Sequence, residues 1–186
     1  GARPGDDVIV TKALGLEGTS ILASDYEDIL KAELSPELLH RAQSFIKKIG
    51  AVEDGLAAAK AGASAMHDIT EGGLLGAVYE IAEASGTGVR IIKEKLPILP
   101  ETRAICDFFR IDPLGLISSG SMLICAPKGD EVVKALAARG IDASIIGKVT
   151  GKDKLLISGD DCIAIAPPER DELYVAAERA EKIFLP

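Results

Sequence analysis

Short apolar blocks of strand length recur along the chain, at Asp7-Val8-Ile9-Val10-Thr11-Lys12 and over residues 63–67, 89–92, 121–126 and 143–149, each rich in β-branched residues or bounded by Gly and Pro. Between them the apolar positions change to a helical period. Ser35 is placed as an N-cap with Pro36 at the first helical position, and Leu38, Ala42, Phe45, Ile46 and Ile49 follow at helical spacing until Gly50. An Ala-rich helix over 52–61 is closed by Gly62, and Leu74, Leu75, Val78, Ile81 and Ala82 form one stripe that closes at Gly86. Further helices are predicted over 17–30, 101–109, 131–139 and 169–184, the last with Leu173, Ala176, Ala180 and Ile183 on one face. Segments 154–157 and 162–166 read as a hairpin around Ser158-Gly159-Asp160-Asp161. Helices grouped in the first half and a β-α-β-β-α tail predict an α+β fold, a mixed or antiparallel sheet with helices packed against it, and not a doubly wound parallel sheet. No repeat and no long linker divides residues 1–186, so one domain is expected.

Composition narrows the function classes. With 47% hydrophobic and 27% charged residues in 186, the chain is an ordinary globular one and neither disordered nor a disulfide scaffold. No apolar run approaches the roughly 20 residues of a membrane span, and residues 1–7 lack the pattern of a secretory signal, so no membrane partner and a cytoplasmic location are expected. Lys plus Arg number 21 and Asp plus Glu 29, a net charge of −8 that repels a phosphate backbone; no Trp and 4% aromatics leave little for base stacking. Nucleic acid is therefore not an expected partner. Cys106, Cys125 and Cys162 are odd in number and widely spaced, which argues against disulfides and thiolate zinc, and Cys125 lies in the apolar run Met122-Leu123-Ile124-Cys125-Ala126 expected to be buried.

Candidate chemistry concentrates in Met66-His67-Asp68-Ile69-Thr70-Glu71-Gly72-Gly73-Leu74, a turn between a predicted strand and an amphipathic helix. Gly72 and Gly73 permit close backbone approach, and the helix N-terminus favours an anion, with Thr70 as a hydroxyl donor. Asp68 and Glu71 repel a bare phosphate and suit Mg²⁺ or a ribose hydroxyl better. The same residues equally describe a capped helix, with Asp68 or Thr70 as the cap, Glu71 complementing the dipole and the glycines allowing packing. His67, Asp68 and Glu71 do not make a zinc site of known spacing, and His40 reads as a solvated surface residue, so no metal ligands are assigned. A second hydroxyl-rich turn, Asp112-Pro113-Leu114-Gly115-Leu116-Ile117-Ser118-Ser119-Gly120-Ser121, precedes a predicted strand and reads locally as an Asx-Pro turn followed by a Ser-Gly turn. No nucleophile elbow, Walker motif or GxGxxG is present.

Taken in order, Gly5-Asp6-Asp7-Val8-Ile9-Val10-Thr11-Lys12 with Gly15-Leu16-Glu17-Gly18-Thr19, then His67-Asp68-Ile69-Thr70-Glu71-Gly72-Gly73-Leu74, then Asp112-Pro113-Leu114 with Ser118-Ser119-Gly120, resemble the C-terminal domain of the aminoimidazole ribonucleotide synthetase superfamily over nearly the whole chain. Within it the patterns are most similar to the hydrogenase maturation branch, HypE, and its synthetase-related relatives. Thiamine-monophosphate kinases usually show Ser-Asp-Gly where Thr70-Glu71-Gly72 stands here.

The resemblance implies an ATP-using enzyme, Mg²⁺-dependent, that phosphorylates a carbonyl or amide oxygen of a small-molecule substrate. It also implies an N-terminal ATP-binding domain upstream, absent here, which builds a homodimer and most of the nucleotide site, so that this chain by itself is inactive. The roles it suggests are Asp68 as an orienting carboxylate, Thr70 as a hydroxyl donor, Gly72 and Gly73 as backbone contacts to phosphate or substrate, and His67, Ser118 and Ser119 as further contacts. Two departures stand out: Ser119 replaces a Glu of the maturation branch, and the sequence ends Glu181-Lys182-Ile183-Phe184-Leu185-Pro186 where that branch carries a tail cysteine. A Ser cannot transfer the proton that a Glu can. The alternative expectation is a catalytically silent module that docks to a maturation-protein partner in metallocentre assembly.

Overall fold

A strand buried on both faces must be apolar at every position, and Val8, Ile9 and Val10 are fully buried in just that way. They lie in β1 (Asp7–Thr11), in the middle of the sheet. A computed structural model describes residues 1–184. After β1 come α1 (Leu16–Asp25), α2 (Glu27–Leu30), α3 (Pro36–Gln43), a 3-10 turn over Ser44–Lys48, α4 (Val52–Lys60), β2 (Ala65–Asp68), α5 (Gly73–Ser85) and β3 (Gly88–Ile92). A second 3-10 turn (Lys93–Lys95) then leads to α6 (Pro100–Phe109), β4 (Met122–Ala126), α7 (Gly129–Ala137), β5 (Ala143–Thr150), β6 (Lys154–Ser158), β7 (Asp161–Ala164) and α8 (Glu172–Phe184).

The seven strands form one sheet in the order β2-β4-β1-β5-β3-β6-β7, with every neighbour antiparallel except the β3·β6 pair. It is the mixed sheet of an α+β fold, as the element pattern predicts. Alternation along β1 divides the core. Val8 and Val10 join Leu123 and Cys125 beneath Leu74, Ala77, Val78 and Ile81 of α5, whereas Ile9 joins Ile124 and Ala126 beneath Ala57 and Ala58 of α4 and Val132 and Leu136 of α7. The β1·β5 register shifts between Val8 and Ile9, and Gly147 lies opposite Val8. A Cβ on Gly147 would lie 2.0 Å from the Arg90 carbonyl oxygen, so no larger residue fits between β5 and β3. Beside the sheet, α1, α3, α6 and α8 enclose a helical core of Leu22, Leu39, Ile105, Phe109, Ala176 and Ala180.

Local signals place most helix ends. The Ser35 hydroxyl accepts the Leu38 N–H, Pro36 opens α3, Gly62 (φ +93°) ends α4, and Gly86 closes α5 in the left-handed region. Three expectations shift. The helix expected over 17–30 breaks at Tyr26 (φ −116°), whose ring lies edge-on to Phe109 at 5.5 Å. Leu39 and Ala42 of α3 and Phe45 of the 3-10 turn are the buried positions, while Leu38 is half-buried; Ile46 is exposed, the chain having tightened to 3-10 geometry at Ser44. The last helix begins at Glu172 rather than 169, and its predicted stripe is realised by buried Ala176 and Ala180 with half-buried Leu173; the side chain of Ile183 lies outside the described residues.

The cysteines are all free, with Cys106 and Cys125 buried and Cys162 exposed in β7. Burial, reinforced by the nearby Asp112 and Asp107 charges, pushes the Cys106 thiol up to about 12, and burial with the Asp6 charge does the same to Cys125. Iodoacetamide at pH 8 is therefore expected to label Cys162 alone in the folded protein and all three thiols in denaturant, read by intact mass. Rapid labelling of a second thiol without denaturant would contradict this burial.

Candidate functional site

The turn that carries the candidate residues begins on an edge strand. Among the described residues β2 pairs with β4 alone, His67 opposite Leu123 and Asp68 opposite Met122, and at this edge His67 Nδ1 lies 3.7 Å from Asp68 Oδ1. Asp68 is exposed. His67 is half-buried, with Nε2 2.8 Å from Glu80 Oε2 on α5 and Nδ1 2.6 Å from the Asp68 carbonyl oxygen, which fixes the ring between strand and helix. Thr70 is half-buried and its carbonyl accepts the Gly73 N–H at 3.0 Å.

The helix cap is neither Asp68 nor Thr70. α5 begins at Gly72, in the left-handed region at φ +81°, with no side-chain cap from its own turn. Its acceptor comes from far along the chain: Asp171, 1% exposed, takes the Gly72 N–H on Oδ2 at 2.7 Å and the Ile117 N–H on Oδ1 at 3.2 Å. The same Oδ1 accepts the Leu173 N–H at 2.8 Å, so Asp171 also caps α8. A carboxylate of the chain itself thus occupies the place where a free helix N-terminus would hold an anion. Around it, Pro168 packs on the turn, and a pocket of about 280 Å³ lies between Glu71, Tyr79 and Glu80 on one side and residues 167–171 on the other.

The three motif segments meet here. The Ile69 N–H donates to the Ser121 carbonyl at 3.0 Å and the Leu75 N–H to the Leu114 carbonyl at 3.1 Å, joining the 66–76 turn to the 112–121 loop. Ser118 is buried and its hydroxyl accepts the Gly15 N–H at 2.8 Å, while the Gly18 N–H donates to the Ile117 carbonyl at 3.0 Å, which attaches the first motif to the second loop. Ser118 is thereby engaged inside the protein, and Ser119 beside it is half-buried. Glu172 follows Asp171 and donates its N–H to the Gly115 carbonyl at 3.1 Å; burial pushes its carboxyl up, against a backbone hydrogen bond at Asp112 that pulls it down.

Lys12 is a residue that sequence reasoning did not single out. It is one of two non-glycine residues at positive φ among the described residues, at 55°. Its ammonium donates to the Gly120 carbonyl at 2.6 Å, the Gly50 carbonyl at 2.7 Å and Asp54 Oδ2 at 3.0 Å, with Asp54 1% exposed. Nothing in the local sequence marks this buried pair. Asp171 did carry a signal, an Asp directly before a helix with apolar periodicity, and it names the true start of α8.

Among the described residues no group of three or more His, Cys, Asp or Glu is placed to hold a metal ion, and the Gly72 and Gly73 N–H groups already have acceptors. These residues do not by themselves fit Mg²⁺ or a triphosphate. What the turn presents to solvent is a carboxylate, a hydroxyl and an oriented imidazole, a set suited to orienting a substrate and exchanging its protons.

The family whose sequence pattern the chain matches is that of the AIR synthase related proteins. The chain belongs to that family, matching its C-terminal domain over residues 3–160. Among curated proteins it is similar to the carbamoyl dehydratase HypE of Rhizobium leguminosarum bv. viciae, 34% identical over 160 residues that cover 84% of this chain and 44% of that protein. A crystal structure of E. coli HypE superposes with a TM-score of 0.73 at 26% identity, covering 94% of this chain and 53% of that one. A HypE structure in complex with ATP, 22% identical with a TM-score of 0.68, covers 92% of this chain and 53% of that one and shares the fold. The chain spans about half the length of the relatives it matches. Its residues 161–186, which include Asp171 and α8, lie beyond the part matched to the family.

Proposed function

We propose that this chain is the C-terminal half of an ATP-dependent enzyme of the HypE kind, which activates a carbonyl or amide oxygen of a small molecule in hydrogenase maturation. The observation that carries the reading is the 34% identity over 84% of the chain to a carbamoyl dehydratase. The hydrogen bonds that join all three motif segments to one another agree with it.

In this reading ATP and Mg²⁺ are held mainly by an N-terminal domain, which also forms the homodimer. This chain closes the site with its polar turn. An amide oxygen attacks the terminal phosphorus of ATP as one N–H proton is lost and ADP leaves; the second N–H proton and the phosphate then depart, leaving a carbon–nitrogen triple bond and completing the dehydration. Asp68 orients the substrate, the Thr70 hydroxyl donates to the oxygen that gains charge, and His67, set by Glu80, contacts the substrate. With Ser118 and the Gly72 and Gly73 N–H groups engaged internally, side chains rather than backbone carry the contact. The test is ADP release by the longest natural gene product containing this chain: Asp68→Asn and Thr70→Ala should each lower turnover, by about a hundredfold for Asp68, with unchanged thermal unfolding. Unchanged turnover in both variants would remove the turn from the catalytic site.

One observation favours a second reading, a docking module for a maturation protein. Val52, Leu56 and Met66 are exposed beside half-buried Met122 around α4 and the edge strand β2. No ATP turnover by the folded gene product would select it.

A further inference from the structure

The anion position at α5 is filled by Asp171, yet the protein has a second cleft with unspent positive charge. Its floor is apolar: Ala13 and Leu16, both buried, pack with Phe45 and partly buried Leu99. One wall is the turn after β1, where the left-handed Lys12 directs its N–H to the Asp142 carbonyl at 2.7 Å and so attaches that turn to the α7–β5 connection. The facing wall is the 3-10 turn Ser44–Lys48 and Gly50, and the Gly50 carbonyl is held by the Lys12 ammonium at 2.7 Å. These fixed walls enclose about 450 Å³, the size of a small-molecule site.

Two ammonium groups stand at its rim. Lys47 and Lys48 line the cleft, both exposed and neither in an ion pair among the described residues; the Lys48 ammonium stands 5.3 Å over the Phe45 ring, and the exposed Asp142 is the one acidic residue facing them in the lining. The Lys12 ammonium, spent on two carbonyls and Asp54, serves as wall and not as donor. With Lys12 offset by Asp54, Lys47 and Lys48 outnumber Asp142 in the lining, so the cleft is locally positive in a protein of net charge −8. Because Lys12 also binds the Gly120 carbonyl, the cleft is coupled to the loop that carries Ser118 and Ser119.

We propose that this cleft binds a small anion with an apolar body, a phosphate monoester or carboxylate whose charged end meets Lys47 and Lys48 while its body covers Ala13, Leu16 and Leu99. The site is separate from the Asp68–Thr70 turn and does not depend on the activity assigned to it. Phenyl phosphate is the probe, titrated into the ¹⁵N-labelled chain at low salt. Saturable shifts are expected at the amides of Ala13, Leu16 and Ile141. Inorganic phosphate, lacking the ring, should bind about tenfold more weakly. The exposed double substitution Lys47→Glu with Lys48→Glu should weaken phenyl phosphate by about tenfold or more, whereas the equal charge change Lys60→Glu with Lys152→Glu leaves it within about twofold. The proposal fails if no saturable shift is seen, if both double variants weaken binding alike, if benzyl alcohol binds as tightly as phenyl phosphate, or if the shifts centre on Gly72 and Gly73.

Discussion

Asp171→Ala is expected to destabilise the folded chain by about 4 kcal/mol, because three backbone N–H groups lose their acceptor and each such loss costs about 1–3 kcal/mol, the smaller value where water can enter. Gly72 is the buried one of the three; Ile117 and Leu173 are partly buried. In a domain of this size that loss corresponds to a fall in Tm of about 10 °C. Asp171→Asn keeps one side-chain oxygen and should lose only about half as much. Urea unfolding reads both: the midpoint falls while the slope is unchanged. A midpoint for Asp171→Ala equal to that of the parent would show that the 66–76 turn and the 112–121 loop hold together without the carboxylate.

Gly73→Ala should do comparable or greater damage for a different reason. Gly73 sits at φ +59°, where an L-residue costs roughly 1–2 kcal/mol. Its added Cβ would also lie 2.6 Å from the Leu114 carbonyl oxygen and 2.7 Å from that of Leu116, both main-chain atoms of the second motif loop. The loops would have to part, breaking the Leu75 to Leu114 hydrogen bond, and a total of about 4 kcal/mol or more follows. Gly140→Ala is the matched control, since Gly140 has φ +72° and open space around it, so it reports left-handed strain alone at about 1–2 kcal/mol. Equal midpoints for the two variants would mean that the close approach at Gly73 is not what excludes a side chain. Larger residues at Gly73 accordingly report on packing before they report on any ligand.

What the sequence disclosed was what is decided within about one helical turn. Ser35 with Pro36, Gly62 and Gly86 fix helix ends through their own backbone preferences and nearby hydrogen bonds, and the structure places them as read. Strand order was not legible, because pairing β1 between β4 and β5, or setting β6 parallel to β3, depends on which apolar faces meet in three dimensions. The candidate site divides the same way. Its glycines and the order of its three segments were legible, but their meeting was not: the acceptor for Gly72 lies 99 residues away, and the Lys12–Asp54 pair joins positions 42 apart. The sequence alone therefore showed a helix N-terminus ready for an anion and not the carboxylate already bound there.

Asp171 also sets an order of events during synthesis. It follows Ile117 by 54 residues and Gly72 by 99, so on a ribosome adding about 5–20 residues per second both loops are made several seconds before the carboxylate that joins them. Until then the sheet can assemble around β1, β4 and β5 and the motif segments can join through their own hydrogen bonds, but the Gly72 and Ile117 N–H groups lack their shared acceptor and the helical core lacks Ala176 and Ala180. The nascent chain thus passes through a stage in which the loops have met and the clamp that ties them to the last helix has not yet been made.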